Sequence, residues 1–167
     1  MLTFRETDVD EPDAHELLAE YFAERVATFP DPEGYRTTFP DPRVFRAPDG
    51  VFLLAENDGD VVGCGGVRRI QAGAEGLVRF EVKHLFVRPT GRGLGLGRRL
   101  LGELETRARD FGAREAVLDT NDSLTAAGGL YRSAGYRSIE PYNDNPNATT
   151  WYAKALAFPQ DAAPTTP

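Results

Sequence analysis

The segment that most restricts how this chain can fold is residues 80–111, FEVKHLFVRPTGRGLGLGRRLLGELETRARDF. It opens on β-formers through residue 87, and Pro89 ends regular strand pairing nearby. Glycines then alternate at 91, 93, 95 and 97. Beyond them Leu100, Leu101, Leu104, Ala108 and Phe111 recur at helical spacing. A glycine-rich loop therefore joins a strand to the N-terminus of a helix. Such a loop gathers bare backbone N–H groups at the positive end of a helix dipole, an arrangement suited to phosphate oxygens.

Spacing separates the phosphate ligands. A dinucleotide fingerprint needs a third glycine three residues after its second. Counted from Gly91 and Gly93 that position is Leu96, and from Gly93 and Gly95 it is Arg98. A P-loop ends in Gly-Lys followed by Ser or Thr, whereas Gly97 is followed by Arg98 and Arg99. Neither pattern fits. The one that does is Arg92-x-x-Gly95-x-Gly97, which resembles the acetyl-CoA loop of the GNAT superfamily of N-acetyltransferases. Downstream, Leu130-Tyr131-Arg132-Ser133-Ala134-Gly135-Tyr136 is similar to that family's Leu-Tyr-x-x-x-Gly-Phe stretch, with Tyr136 in place of Phe. The two motifs stand in the family's order and at its interval, and the resemblance runs from about Val51 to Tyr136.

The resemblance implies a single-domain α/β fold over residues 1–157, a mixed, mostly antiparallel sheet with helices on both faces. It implies acetyl-CoA as co-substrate, with no metal, and direct attack of an amine in a ternary complex without an acyl-enzyme. The backbone of Arg92, Gly93, Leu94, Gly95, Leu96, Gly97 and Arg98 would hold the CoA pyrophosphate, next to Leu85, Phe86 and Val87 of the preceding strand. A bulge in that strand would turn the N–H of Phe86 or Val87 toward the acetyl oxygen. The family often places an asparagine seven residues before the tyrosine. Here that position is Leu124, with Asn121 three residues earlier at a strand end. Dimerisation is common in the family, though no feature of this sequence encodes it.

Composition bounds the alternatives. At 167 residues with one cysteine, the chain fits one domain, with roughly 70% of its extended surface buried on folding and no disulfide framework. The net charge of −7, from 26 Asp and Glu against 19 Lys and Arg, argues against a broad nucleic-acid or anionic-membrane surface. No stretch is apolar enough to span a membrane and no signal peptide opens the chain, which predicts a cytoplasmic location.

Pattern places the elements. Strands are expected at residues 2–6, 51–56, 61–70, 77–87, 116–120, 136–139 and 149–156, and helices at about 12–27, 95–111 and 123–133. Asn57-Asp58-Gly59-Asp60 is a hairpin signal. Residues 29–48 are broken by Pro30, Pro32, Pro40, Pro42 and Pro48 and read as loop with one short helix near 34–38. Residues 158–167 are small, polar and Pro-rich, as in a disordered tail.

Acetyl transfer needs a neutral amine, a polarised carbonyl and a protonated or stabilised thiolate. Glu81 is the candidate base, and some family members carry a glutamate at the matching position. Its other reading is an ion pair with Lys83, two residues along on the same face. Tyr131 is the candidate acid for the CoA sulfur, or a tyrosine packed on the sheet. Arg92, Arg98 and Arg99 either reach phosphate or line a solvated helix face. His84, by strand alternation, faces the side of Val82 and Phe86, opposite Glu81, as a core histidine. Cys64 reads as packing. Acceptor-binding candidates are Tyr21, Arg25 and Tyr35, then Asn143 and Asp144, with Arg25 suited to a carboxylate and Asp144 to a cation. The acceptor itself is expected to be a primary amine of a small molecule, less readily a protein amine. A non-catalytic acyl-CoA-binding module is the alternative.

Overall fold

The computed structural model describes residues 1–31 and 33–158. In chain order it contains β1 (Leu2–Glu6), α1 (Pro12–Thr28), β2 (Gly50–Asn57), β3 (Asp60–Arg69), β4 (Arg79–Val87), α2 (Leu96–Asp110), β5 (Glu115–Thr120), α3 (Thr125–Ser133), β6 (Arg137–Ile139) and β7 (Thr150–Ala155). The strands form one sheet in the order β1-β2-β3-β4-β5-β7-β6. Neighbours are antiparallel except β4 and β5, which run parallel. The expected mixed, mostly antiparallel α/β sheet is what forms.

Local chemistry explains the elements. The β2–β3 turn holds Asp58 and Gly59 at φ 53° and 93°, the two left-handed residues of a type I′ hairpin turn. β2 alternates between two buried faces: Val51, Leu53 and Ala55 pack with Leu100, Leu101 and Leu104 of α2, while Phe52 and Leu54 pack with Leu17, Leu18 and Phe22 of α1. A strand covered on both sides reads as a continuous apolar run, which VFLLA is. The expected short helix near 34–38 does not form. A single 3-10 turn follows instead at Pro42–Phe45, where Asp41 accepts a hydrogen bond from the Arg43 N–H at 2.9 Å. Asp followed by Pro supplies the cap and the first-turn φ of that turn. Residues 159–167, most of the expected tail, lie outside the described residues.

The decisive irregularity is in β4. Val87 and Phe86 face Gly63 and Cys64, and Lys83 faces Gly66, so His84 and Leu85 together oppose the single residue Gly65. His84 has φ 55°, in the left-handed region, where an L-residue with a side chain costs about 1–2 kcal/mol. This bulge reverses the alternation that sequence reading carried through the strand. Phe80 and Val82 belong to the core on the α2 face, but so do Leu85 and Val87. Phe86 joins the α1 face, and the His84 ring lies 5.5 Å from Tyr21 and 5.6 Å from Phe22. His84 therefore shares the side of Glu81 and Phe86, correcting the expected placement. Gly65 permits the bulge: a Cβ there would sit 2.9 Å from Leu104 Cδ1.

The bulge coincides with a parting of strands. β4 and β5 pair only from Arg79–Glu115 to Glu81–Val117, while β5 continues pairing with β7 to Thr120. Past Glu81 the two parallel strands have no register, and a gap opens in the middle of the sheet. α1 is tied across this region by Arg88, which holds Glu20 at 2.6 and 2.9 Å, and by Arg92, which holds Glu24 at 2.6 Å.

Leu104 is fully buried between α2 and the sheet. Leu104→Ala should destabilise the protein by about 2–5 kcal/mol in urea unfolding. Leu94→Ala, at a side chain 65% exposed, should stay within about 0.5 kcal/mol of the parent.

Candidate active site

A cavity of about 580 Å³ occupies the gap, a volume in the range of small-molecule sites. Its walls come from both faces of the sheet. Tyr21 and Arg25 of α1 stand on one side, Tyr131 of α3 on the other, and Lys83, His84 and Leu85 of the bulged strand between them. Two loops close the outer end, one carrying Tyr35 and Arg36, the other Asn143, Asn145 and Asn147. They are clamped together, since Asn147 Nδ2 donates to the Arg36 carbonyl at 3.0 Å and Asn147 Oδ1 accepts from the Arg36 N–H at 3.2 Å.

A polar network forms the floor. Glu81 is 1% exposed and is absent from the cavity wall. Its Oε1 accepts from Arg68 Nε at 3.0 Å and Nη2 at 2.8 Å, and its Oε2 from the Tyr142 hydroxyl at 2.7 Å and Asn143 Nδ2 at 3.4 Å. Two carboxylate oxygens offer about four acceptor positions, and all are taken. Direct contact with an amine is closed to it, so the base role expected from the sequence would run through a relay. Lys83 shares its face as expected but stands 4.0 Å from Glu81 and nearer, at 3.4 Å, to Asp119. Burial and the Glu81 charge raise the Tyr142 pKa, so that hydroxyl donates.

Asp119, missed by sequence reading, does line the cavity. Its side chain is 5% exposed. Oδ1 accepts from Lys83 Nζ and, at 3.1 Å, from Asn145 Nδ2; Oδ2 accepts from Asn143 Nδ2 alone, at 2.8 Å. One acceptor position remains. The legible signal was the alternation Asn143-Asp144-Asn145-Pro146-Asn147, which puts three amides on one side of the loop. Asp144, between them, is exposed and outside the cavity wall.

His84, Tyr131 and Asn121 also meet here. Burial holds the His84 imidazole down at about 3, helped by the charges of Lys83 and Arg68. Its buried Nδ1 has no hydrogen-bond partner among the described residues. Burial pushes the Tyr131 phenol above its ordinary range, so it stays protonated. Asn121 is engaged at both ends of its amide, donating to the Asn147 carbonyl at 3.2 Å and accepting from the Ser123 N–H at 3.0 Å.

The glycine loop stands where β4 meets α2. Gly93 and Gly95 adopt φ 81° and 72°, and Gly95 caps α2 with no side-chain hydrogen bond. Among the described residues the N–H groups from Gly93 to Arg98 have no acceptor, which leaves the first turn of α2 open to an anion. The arginines are less available than the sequence suggested. Arg92 is bound to Glu24 and donates to the Val87 carbonyl at 2.9 Å. Arg98 donates to the Ser133 hydroxyl and carbonyl. The Arg99 side chain has no hydrogen bond or ion pair among the described residues, and the residue is exposed. Phe86 and Val87, expected to offer an N–H, are in register with Cys64 and Gly63 on one edge of β4, while the edge toward β5 is uncovered past Glu81; the bulge itself lies at His84 and Leu85. Among the described residues no group of three or more His, Cys, Asp and Glu is placed to hold a metal ion.

A split β4–β5 pair, a bulge at its mouth and an anion-receptive helix start define an acetyltransferase architecture. The family model of the acetyltransferase (GNAT) family matches residues 12–136, and the chain belongs to that family. It is 37% identical over 113 residues to an uncharacterized N-acetyltransferase of Schizosaccharomyces pombe, covering 67% of each chain. It is 38% identical over 102 residues to an IAA acetyltransferase of Azospirillum brasilense, covering 61% of this chain and 64% of that one. The fold matches a GNAT family acetyltransferase from Elizabethkingia anophelis with acetyl-CoA bound, at TM-score 0.60, 17% identity and coverage of 93% and 98%. An acetyltransferase from Streptococcus agalactiae matches at TM-score 0.72 and 20% identity, covering 93% of this chain and 98% of that one.

The depressed His84 pKa has a sign. Above the ordinary value of 6.5 both folded and unfolded histidine are neutral. As pH falls below it, only the unfolded state takes the proton, so stability drops until about 3. Urea unfolding should show a loss approaching about 1.4 kcal/mol per pH unit from this group. His84→Leu should flatten that part of the profile between pH 6.5 and 4.5.

Proposed function

We propose that the chain moves an acetyl group from acetyl-CoA to a primary amine of a small molecule, by direct attack with both substrates bound. The carrying observation is the cavity that crosses the sheet through the β4–β5 gap, with the α1 side for the acceptor and Tyr131 at the other end. The open N–H groups of Gly93 to Arg98 suit the CoA pyrophosphate, and the bulged backbone at His84 and Leu85, beside the β4 edge that β5 leaves uncovered, suits the thioester oxygen. Clamping of the two outer loops by Asn147 favours a small acceptor over a protein chain, because it narrows the acceptor end.

In the step, the amine nitrogen bonds to the acetyl carbon and the carbon–sulfur bond breaks. The nitrogen loses one proton, and the departing sulfur gains one. Tyr131, held protonated by burial, donates to the sulfur. Asp119, with its free acceptor position in the cavity wall, receives the amine proton through water. Glu81 positions Arg68, Tyr142 and Asn143 beneath it.

An amine panel with acetyl-CoA, read by thiol release, tests this. Tyr131→Phe should lower kcat about 100-fold or more with little change in KM for acetyl-CoA. Asp119→Asn should lower kcat/KM most at pH 7, with the deficit shrinking toward pH 9.5 as free amine accumulates. Glu81→Gln should lack that recovery. Wild-type protein that binds acetyl-CoA in calorimetry and acetylates no amine would favour the binding-module reading.

A further inference from the structure

The cavity contains a half-buried cation, Arg25, that no carboxylate answers among the described residues; Arg36, the other cation of the wall without an ion pair among them, is exposed. Among the charged cavity side chains, Asp41 is met by Arg43 at 2.6 Å, Asp119 by Lys83 at 3.4 Å, and Arg68 by Glu81 at 2.8 Å. The neighbouring acids of α1 are also used, Glu20 by Arg88 and Glu24 by Arg92. Arg25 lines the cavity and has no ion pair among the described residues. Its guanidinium carbon lies 4.9 Å from the Tyr21 ring centre, and Tyr21 also hydrogen-bonds to it, which holds the fork in the cavity wall. A partly desolvated guanidinium without an anion is costly, and a ligand carboxylate is its natural two-pronged partner.

Two phenols flank that charge, Tyr21 and Tyr35, with Tyr131 across the cavity; all three interact electrostatically with Arg25. Burial, the largest influence on Tyr35 and Tyr131, keeps both protonated and able to donate. The end of the cavity is thus a cluster of donors with net positive charge, walled by Phe22, Phe29 and Phe39. Arg25 and Tyr131 line the same cavity of about 580 Å³, so a carboxylate held by Arg25 and the group assigned to the sulfur share that space. A cavity of this volume suits a small molecule that carries both a carboxylate and an amine.

We propose that the acceptor is a free amino acid with an apolar side chain, its carboxylate bound by Arg25. This rests on the acetyltransfer reading above and narrows it. A peptide N-terminus lacks the carboxylate beside its amine and is disfavoured.

Matched acceptors test it: L-phenylalanine against phenethylamine, and L-leucine against isoamylamine. Wild type should prefer each amino acid by about tenfold or more in kcat/KM, chiefly through KM. Arg25→Gln should bring the ratio to within about twofold of one, and Arg25→Lys should give an intermediate ratio, since lysine keeps the charge but loses the fork. Equal turnover of both members by wild type would overturn the proposal while leaving acetyl transfer standing. So would a preference that persists in Arg25→Gln. Calorimetry with L-phenylalanine separates the remaining cases. Arg25-dependent binding with no acetylation would keep the carboxylate site and remove the transferase reading. No binding and no acetylation would overturn both.

Discussion

The feature on which the site depends is the failure of β4 and β5 to stay paired beyond Glu81 and Val117. Two parallel strands at the centre of a sheet normally hydrogen-bond along their shared length. Here β4 spends its regular register on β3, slips by one residue at His84, and ends at Val87. β5 stays with β7. The unpaired stretch removes backbone bonding from the middle of the molecule, a cost that clustering of the helices on both faces offsets. Leu100, Leu101 and Leu104 secure one side, and Leu17, Leu18 and Phe22 the other. What results is an opening through the sheet, and the cavity lies in it.

Beneath the opening the charges are arranged in pairs. Arg68 with Glu81 and Lys83 with Asp119 leave no net charge on the floor. Asn143 links the two pairs by donating to both carboxylates, while its own oxygen accepts from Trp151 Nε1 at 2.8 Å. Removing one member would strand a buried partner, which is far more costly than the net worth of such a pair. The network therefore fixes side-chain positions more than it adds stability. Against this neutral floor, the positive charge of Arg25 defines the polarity of the acceptor end.

Much of this was legible in the sequence because it followed local rules. β1 forms over Leu2–Glu6 as expected, and α2 forms where leucines recur at helical spacing after the glycine loop. The loop and the Leu130–Tyr131 stretch pointed to the family because both are short, contiguous and tied to backbone geometry. Strand alternation failed at His84, since a bulge is set by what the neighbouring strand allows, here Gly65 beneath Leu104. The surroundings of Glu81 and Arg92 were not legible for a related reason. Their partners, Tyr142 and Glu24, lie 61 and 68 residues away, and no pattern within β4 or the loop marks them. Asp119 was passed over because a single acid at a strand end carries no motif; its meaning comes from Asn143 and Asn145 across the loop.

The central claim is that the bulged backbone at His84 and Leu85 and the open N–H groups of Gly93 to Arg98 form one continuous acyl-CoA surface. Amide chemical-shift mapping of the whole protein, titrated with acetyl-CoA, tests it most directly. The amides of His84, Leu85 and residues 93–98 should move together, saturating at a single affinity, with Tyr131 following. Binding that leaves those amides unmoved, or shifts only one of the two segments, would contradict the account.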